Sequence, residues 1–224
     1  MIKAWGSIRL ADIESAQPAD WDFAGATHAR VRLPATAANE IEMQRRGFFW
    51  ADRTLKASIS LARCPVDPAK AMRLPVEKLE KTDGHREDLL RIACASFPYD
   101  RRFHVLPDCD ASIAALVLKD WVEALDDVLA CFLHGRLAGF LALARPSADT
   151  LFVQLAAVEE AFRRTGAAMS LYAGACREAA VRGVKRLNGR ISTQNTAVMN
   201  LYAAFGAVFS EPEDIFLKEV GHDA

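Results

Sequence analysis

The chain has 224 residues, of which 51% are hydrophobic and 25% are charged, with 12 glycines and 9 prolines. This composition excludes a low-complexity, collagen-like or disordered chain, and the length suffices for one large domain or two small ones. Lysine and arginine number 28 against 29 aspartates and glutamates, for a formal charge of -1. The chain therefore lacks the basic excess typical of proteins that bind nucleic acid or anionic membranes.

Targeting segments and metal motifs are not evident. Neither the start of the sequence nor any later stretch has the apolar run expected of a signal peptide or a membrane-spanning helix. The five cysteines are scattered without a C-x-x-C pair, and the five histidines show no helical i, i+4 pairing. We expect a cytoplasmic protein with reduced thiols, no bound metal, and no nucleic-acid or membrane partner.

A proline-interrupted, polar stretch at residues 64–84 is the clearest change in composition and predicts a domain boundary. Residues 1–82 then form a small α/β N-terminal module, and residues 83–224 form a second domain. Within the module the pattern predicts a strand, a helix and a strand, at residues 29–33, 36–46 and 48–61.

The second domain starts with two amphipathic helices, predicted at residues 85–96 and 112–125. Strands and helices then follow in the order β-β-β-α-β-α-β, at residues 128–133, 137–144, 150–158, 167–182, 186–192, 196–205 and 207–217. Hairpins followed by a strand-helix-strand crossover predict an α/β fold with a mixed, mostly antiparallel central sheet flanked by helices. Such a sheet has a natural ligand site at the carboxyl end of a central strand.

The loop after the strand at residues 150–158 combines two arginines with small residues. It runs through Arg163 and Arg164 into a helix that starts Gly166-Ala167-Ala168. A helix start presents unpaired N–H groups and the positive end of the helix dipole, and small residues let a ligand approach the backbone. The segment favours a phosphate or pyrophosphate site, although a solvated loop opened by a lone glycine explains the same residues. The sequence contains neither G-x-G-x-x-G nor a P-loop motif.

A second motif further along the chain makes the first more specific. It reads Asn195-Thr196-Ala197 and then Leu201-Tyr202-Ala203-Ala204-Phe205-Gly206. Together with Arg163-x-x-Gly166-x-Ala168, it resembles the GNAT superfamily of acetyl-CoA-dependent N-acetyltransferases. The resemblance implies the acyl-CoA N-acyltransferase fold, acetyl-CoA as cosubstrate, and a small-molecule amine as acceptor.

The resemblance also implies roles for individual residues. Backbone amides of the loop would hold the coenzyme pyrophosphate, and the strand before it would pair with the pantetheine arm. The residues concerned are Arg163, Arg164, Thr165, Gly166, Ala167 and Ala168 for the pyrophosphate, and Ala156, Ala157 and Val158 for the pantetheine. Asn195 would hydrogen-bond the coenzyme arm, and the Tyr202 hydroxyl would protonate the departing thiolate as general acid.

Asn195 and Tyr202 are about two helical turns apart, so both side chains lie on one helix face and serve one extended ligand. A helix cap explains Asn195 equally well, and a place in the core explains Tyr202. The acceptor amine needs a base or a water chain to lose its proton. The candidates, between which the sequence does not choose, are Glu159, Glu123, Asp120 and His104.

Residues 97–104 and 118–122 resemble the dTDP-fucosamine acetyltransferase subgroup, which also has an extra N-terminal domain. The implied acceptor is an amino-sugar nucleotide, whose diphosphate Arg101, Arg102 and Arg45 would contact. The alternatives are a protein N-terminus, a small amine or an antibiotic as acceptor, and a non-catalytic acyl-CoA sensor. An exposed edge strand near the C terminus would allow a homodimer.

The N-terminal module also echoes the C-terminal strand-helix-strand unit. When Gly47 is placed on Gly206, Thr36 and Met43 replace Asn195 and Tyr202. On this register the first copy lacks the groups that bind and protonate the coenzyme, so we expect one active site per chain. The alternative is a chance similarity of two helix-glycine-strand units.

Overall fold

The structure is a computed structural model that describes residues 2–13, 21–80, 84–97, 105, 109 and 111–220. Strands β1 to β10 span Ile2–Trp5, Ile8–Ile13, His28–Pro34, Phe49–Ser60, Val76–Leu79, Asp127–Leu133, Arg136–Ser147, Thr150–Val158, Arg186–Ser192 and Val208–Glu219. Helices α1 to α6 span Ala37–Arg45, Pro68–Ala71, Arg86–Ser96, Ala111–Glu123, Ala167–Val181 and Thr196–Ala204. Short 3-10 turns lie at Leu61–Arg63 and Glu160–Phe162.

One sheet contains all ten strands, in the order β1-β2-β3-β10-β4-β9-β8-β7-β6-β5. The pairs β2 with β3 and β8 with β9 are parallel, and the others are antiparallel. Helix α5 packs on one face of the C-terminal strands and α3 on the other. The mixed, mostly antiparallel sheet flanked by helices that the sequence predicts is therefore confirmed.

Strands β6 and β7 are apolar on both faces because helices cover both. Leu129 and Cys131 of β6 join the cluster around α5, whereas Val128 and Ala130 join the cluster around α3. This burial explains the continuous apolar runs in the sequence. The two strands are joined at His134 and Gly135, both with positive φ, as a two-residue hairpin turn requires.

The centre of the sheet has an internal two-fold pattern. The four central strands have the order β3-β10-β4-β9. When β3 is exchanged with β9 and β4 with β10, the same order results, read from the other end. The pairs β3 with β10 and β9 with β4 each contain seven residue pairs, and the parallel pairs β2 with β3 and β8 with β9 each contain four. The N-terminal strands therefore repeat the topology of the C-terminal ones.

The two crossover helices match in the same way. Helices α1 and α6 each have nine residues, and side chains cap them at Thr36 and Asn195. Gly47 and Gly206 follow the helices with φ of 76° and 72°, a backbone conformation that favours glycine. These are the equivalences that the sequence echo predicts.

Two expectations from the sequence need correction. The strand near the C terminus is not an exposed edge, because β10 is hydrogen-bonded to β3 on one side and β4 on the other. The argument for a homodimer through that strand therefore lapses. The stretch at residues 64–84 also holds more than a boundary, since it contains α2 and β5, and β5 pairs with β6.

Strands β1 and β2 are further elements that the sequence reading did not predict. Because a single sheet joins both parts of the chain, the division into residues 1–82 and 83–224 stays a prediction. Within the described part of the chain, no helix is long and apolar enough to cross a membrane.

Asp214 ties β10 to β4. Its carboxylate is 1% exposed and accepts hydrogen bonds from the Arg53 guanidinium at 2.8 Å and from the Trp50 indole at 2.9 Å. Burial by itself raises the pKa of Asp214, but these hydrogen bonds and the charge of Arg53 outweigh it and lower the pKa below its usual value. A depressed carboxyl pKa stabilises the fold above about pH 4, and this contribution is lost as the pH falls further.

We predict that Asp214→Asn lowers the free energy of unfolding by about 1–3 kcal/mol near neutral pH, because a charge-assisted bond between the two halves is lost. The difference from the wild type should shrink in acid, where the wild-type carboxylate becomes protonated. Urea unfolding at neutral and acidic pH measures both effects. The control is Asp149→Asn, at an exposed ion pair with Lys185. Equal losses in the two variants would contradict this role.

Candidate active site

A cleft of about 810 Å³ opens where β8 and β9 separate. The two strands pair only from Thr150–Val153 to Arg186–Gly189 and then diverge. Helices α5 and α6 and strands β8 and β9 contribute the lining residues Tyr172, Asn195, Val198, Tyr202, Phe152–Ala156 and Arg190–Ser192. Helices α3 and α4 and the residues at their ends contribute Ser96, Phe97, Trp121, Ala124 and Leu125. The N-terminal strands contribute Arg30, Arg32, Asp52 and Thr54.

Two tyrosines meet inside this cleft. Tyr172 and Tyr202 are 4% and 1% exposed, and their ring centroids lie 5.0 Å apart in an edge-to-face arrangement. Burial raises the pKa of Tyr172 to about 12 and raises the pKa of Tyr202 well above its ordinary value, with the neighbouring Tyr172 adding to the latter shift. Both phenols therefore keep their protons throughout the physiological pH range.

The position of Tyr202 depends on a glycine in β9. A Cβ atom built on Gly189 would overlap the Tyr202 hydroxyl. The missing side chain therefore lets this hydroxyl lie against the strand, beside the gap between β8 and β9. The same contact explains why an otherwise regular strand contains a glycine.

We predict that Gly189→Ala displaces the Tyr202 ring and lowers the free energy of unfolding by about 1–3 kcal/mol, because the new methyl group overfills the site. Acetyl transfer should fall with it if Tyr202 acts in the reaction. Thermal unfolding and an acetyl-transfer assay check this. Gly84→Ala is the control, since a Cβ at Gly84 has open space around it. An unchanged Gly189→Ala protein would contradict the close approach.

The N-terminus of α5 differs from those of α1 and α6. Its N-cap residue is Gly166, with φ of 94° and no side-chain cap, whereas the N-cap side chains of α1 and α6 bond to backbone amides. The first-turn amides of α5 thus lack the cap that the other two helices have, and the exposed Arg163 and Arg164 precede them. This end of α5 is suited to an anion.

The loop that leads to α5 is anchored at its start. The carboxylate of Glu159 accepts hydrogen bonds from Arg91 of α3 at 2.9 Å and from Arg136 of β7 at 3.3 Å. The Arg136 guanidinium also lies 5.3 Å from the centre of the Phe162 ring. These contacts hold the turn between β8 and α5 in place.

The residues predicted to contact pantetheine lie on the divergent part of β8. Ala156, Ala157 and Val158 pair with β7 on one side. On the other side the described part of β9 pairs with β8 only as far as Val153. Of the three, Ala156 lines the cleft, and the edge of β8 beyond Val153 offers backbone donors and acceptors to an extended ligand.

Asn195 and Tyr202 line the same cleft. The Asn195 side-chain oxygen accepts a hydrogen bond from the Val198 amide at 3.2 Å, so Asn195 caps the helix. The cap uses the carboxamide oxygen, and the carboxamide nitrogen is a separate donor group. The ligand-contact role of Asn195 stays a prediction.

The sequence reading missed a group of polar residues in the cleft. Asp52 is 3% exposed, and its Oδ1 accepts hydrogen bonds from the Ser192 hydroxyl and the Arg53 amide, each at 2.8 Å. Among the described residues that line the cleft, Asp52 is the one carboxylate. The alternation of Arg30 and Arg32 with apolar residues in β3 was an available signal, since it places two arginines on one face of a buried strand.

The base candidates named from the sequence lie elsewhere. Glu159 anchors the loop, Asp120 accepts a hydrogen bond from the Trp5 indole at 2.5 Å, and Glu123 lies 3.8 Å from Lys119 on exposed helix surface. None of these three belongs to the described lining of the cleft.

The three arginines predicted to bind a diphosphate do not line the cleft as far as the structure describes them. Arg45 is exposed on α1, away from the described cleft lining. Arg101, Arg102 and His104 lie outside the described residues. Among the residues that the structure describes, no group of three or more histidine, cysteine or acidic side chains could hold a metal ion.

Solved structures of the same fold include a functionally unknown conserved protein from Staphylococcus epidermidis, with a TM-score of 0.63, 15% identity, and coverage of 87% of this chain and 73% of that one. A GCN5-related N-acetyltransferase from Sphaerobacter thermophilus has a TM-score of 0.57 at 14% identity, covering 88% and 62%. A tandem GNAT protein from the clavulanic acid biosynthesis pathway has a TM-score of 0.58 at 12% identity, covering 89% and 66%. At these identities the likeness shows the shared fold.

No curated protein matches the sequence. The model of the acetyltransferase (GNAT) family matches residues 87–207, which is more than half of the chain. The match includes the loop before α5, the divergent strands and Tyr202. This chain belongs to the GNAT family of acetyltransferases, which use acetyl-CoA as cosubstrate.

Proposed function

We propose that the chain transfers the acetyl group of acetyl-CoA directly to a primary amine, and that this amine belongs to an amino-sugar nucleotide. The observation that carries the proposal is the continuity of the cleft. It runs from Tyr202 through the gap between β8 and β9 to the arginines of the N-terminal strands. One cleft thus connects a site for the thioester with a polar site for the acceptor.

The coenzyme would lie along the open edge of β8. The amides at the start of α5, with Arg163 and Arg164, would hold its pyrophosphate, because that helix end is uncapped and positively polarised. The backbone of Ala156 to Val158 would hydrogen-bond the pantetheine arm. Bound in this way, the coenzyme supplies an activated acetyl thioester beside Tyr202.

Tyr202 is the general acid in this proposal. The amine nitrogen forms a bond to the acetyl carbon, the carbon–sulfur bond breaks, and the phenolic proton of Tyr202 passes to the departing thiolate. The nitrogen then loses its extra proton to solvent, and a proton from solvent restores the phenol. The raised pKa of Tyr202 keeps that proton in place until it is needed.

Asp52 is the proposed proton acceptor. It lies on β4, whose Thr54 pairs with Ser192 at the end of β9, and its contact with the Ser192 hydroxyl forms a short relay. The ammonium proton of the acceptor passes to the Asp52 carboxylate, directly or through Ser192, and leaves a neutral amine for the attack.

The amino-sugar nucleotide is the finer part of the proposal. Its support is the presence of Arg30, Arg32 and Arg190 in the cleft, because guanidinium groups bind phosphate through paired hydrogen bonds. A protein N-terminus or a small neutral amine would need no such arginines. A non-catalytic acyl-CoA sensor would need neither an acid nor a base among the residues that line the cleft.

We predict that Tyr202→Phe lowers kcat for acetyl transfer by about 100-fold or more, because the thiolate then leaves without a proton donor. A mass-spectrometric screen of dTDP- and UDP-amino sugars, peptides with free N-termini, polyamines and aminoglycosides identifies the acceptor for this measurement. Calorimetric binding of acetyl-CoA to both proteins is the control and should be equal. Acetylation of peptides or polyamines alone would reject the nucleotide acceptor, and coenzyme binding with no acetylation at all would favour the sensor.

We predict that Asp52→Asn lowers kcat/KM most strongly near neutral pH, where the amine is protonated. The deficit should shrink as the pH approaches the amine's own pKa, at about 10, because the free amine no longer needs a base. Rate profiles of wild type, Asp52→Asn and the exposed control Asp149→Asn measure this. A deficit that stays constant with pH would mean that Asp52 is structural.

A further inference from the structure

Helix α5 brings one bulky side chain to the cleft. The buried residues of this helix are mostly small, and they are Ala167, Ser170, Leu171, Tyr172, Ala173, Gly174, Ala175, Cys176 and Ala179. Among them, only Tyr172 belongs to the described lining of the cleft. Ala175 and Cys176, its neighbours one turn further along the helix, are small, so they leave the space beside the cleft to the Tyr172 ring.

The Tyr172 ring closes the inner end of the cleft. It is 4% exposed, and its centroid lies 5.0 Å from that of Tyr202 and 6.2 Å from that of Phe205. Phe205 and Cys176 are buried and do not belong to the described lining. The described cleft therefore ends at the rings of Tyr172 and Tyr202.

This inner end and the charged lining of the cleft lie on opposite faces of the sheet. The two tyrosines pack in one hydrophobic cluster with Ile191 of β9. Successive residues of a strand point to opposite faces, so Arg190 and Ser192, the neighbours of Ile191, point to the other face. The Ser192 hydroxyl contacts Asp52 there. The proposed acceptor side is therefore separated from the tyrosine side by the plane of the sheet.

The tyrosine side of the cleft is uncharged in the part of the chain that the structure describes. Burial is the main cause of the raised pKa of both phenols. The other groups that act on these two pKa values are the two phenols themselves and the Cys176 thiol, all of which are neutral at physiological pH. Val153 and Val198 add apolar surface to the lining. This end of the cleft suits a hydrocarbon chain better than an amine or a phosphate.

We propose that Tyr172 limits the length of the acyl group, because its ring occupies the space into which an acyl chain longer than acetyl would extend. The proposal rests on the proposed acetyl transfer, in which the thioester lies beside Tyr202, and it specifies the acyl donor. In this arrangement the methyl of an acetyl group fits in front of the Tyr172 ring, and the further methylene groups of a longer chain overlap that ring.

The test compares acetyl-, butyryl- and hexanoyl-CoA as donors for the full-length wild type, Tyr172→Leu and Tyr172→Ala, with the acceptor found in the mass-spectrometric screen. We expect wild-type kcat/KM to fall by about 10-fold or more from acetyl-CoA to butyryl-CoA, because the longer chain overfills the site. In the two variants the ratio of kcat/KM for hexanoyl-CoA to that for acetyl-CoA should rise by about 10-fold or more. The ratio is the measure, because a smaller side chain also removes packing against Tyr202.

Two control variants separate the acyl limit from damage to the core. Tyr172→Phe keeps the ring and should keep the wild-type ratio. Phe216→Leu shortens a buried ring in the N-terminal cluster, away from α5. Its Tm should fall as that of Tyr172→Leu does, while its ratio stays that of the wild type.

Calorimetric titration of the same acyl-CoAs into protein without acceptor gives a readout independent of turnover. Hexanoyl-CoA should bind the wild type more weakly than acetyl-CoA does. Tyr172→Ala should gain about 4-fold in affinity for each methylene group that the new space accommodates. Tyr172→Leu opens less space but keeps more of the core packing, so it provides the same comparison if Tyr172→Ala does not fold.

A wild type that uses hexanoyl-CoA as well as acetyl-CoA, or folded Tyr172→Leu protein with an unchanged ratio, would overturn the acyl limit and leave the acetyltransferase proposal intact. Affinities that shift toward hexanoyl-CoA in the Tyr172 variants, without acylation of any amine, would support the acyl limit and reject the proposed function. An equal rise of the ratio in Phe216→Leu would trace the effect to lost stability and overturn the role of Tyr172.

Discussion

The insertion of β10 between β3 and β4 is the constraint on which the rest of the structure depends. The last strand of the chain completes a sheet whose neighbouring strands come from the first part of the sequence. Neither part closes its own edge without the other, since an unpaired strand edge exposes backbone donors and acceptors. Contacts of such large sequence separation form slowly, so we expect folding to be limited by the arrival of β10.

The same insertion brings residues from both parts of the chain to one cleft. The C-terminal strands diverge to leave a gap, and Gly189 leaves room within it for the Tyr202 hydroxyl. The parallel ladder of β2 with β3 ends at Val31, as that of β8 with β9 ends at Gly189, and Val31 packs in the core with Met43. The C-terminal half therefore supplies the proposed general acid, and β4, which lies directly beside β9, supplies the proposed base.

Local sequence patterns predicted those parts of the fold that local physics determines. Strands β8 and β9 have the predicted bounds, because apolar residues alternate along them or fill them and turn residues end them. The helix starts at Thr36 and Asn195 follow from capping chemistry. Strands β1, β2 and β5 were not predicted, because they are short or polar and owe their conformation to pairing with other strands.

The residues of the proposed site also fall into those that a local motif predicts and those that it does not. The loop at Arg163–Ala168 and the helix with Tyr202 are each contiguous in sequence, so a motif revealed them. Arg32 and Asp52 lie two strands apart in the sheet because both pair with Ile215 of β10, which is distant from them in sequence. No local pattern contains that information. The base candidates named from the sequence did not include Asp52, the proposed base, for this reason.

A crystal structure with coenzyme A and the acceptor amine bound tests the joint origin of the proposed active site most directly. We expect the thiol beside Tyr202 and the amine within hydrogen-bonding distance of Asp52 or Ser192. An acceptor bound entirely by C-terminal residues, with its amine away from β4, would contradict this account.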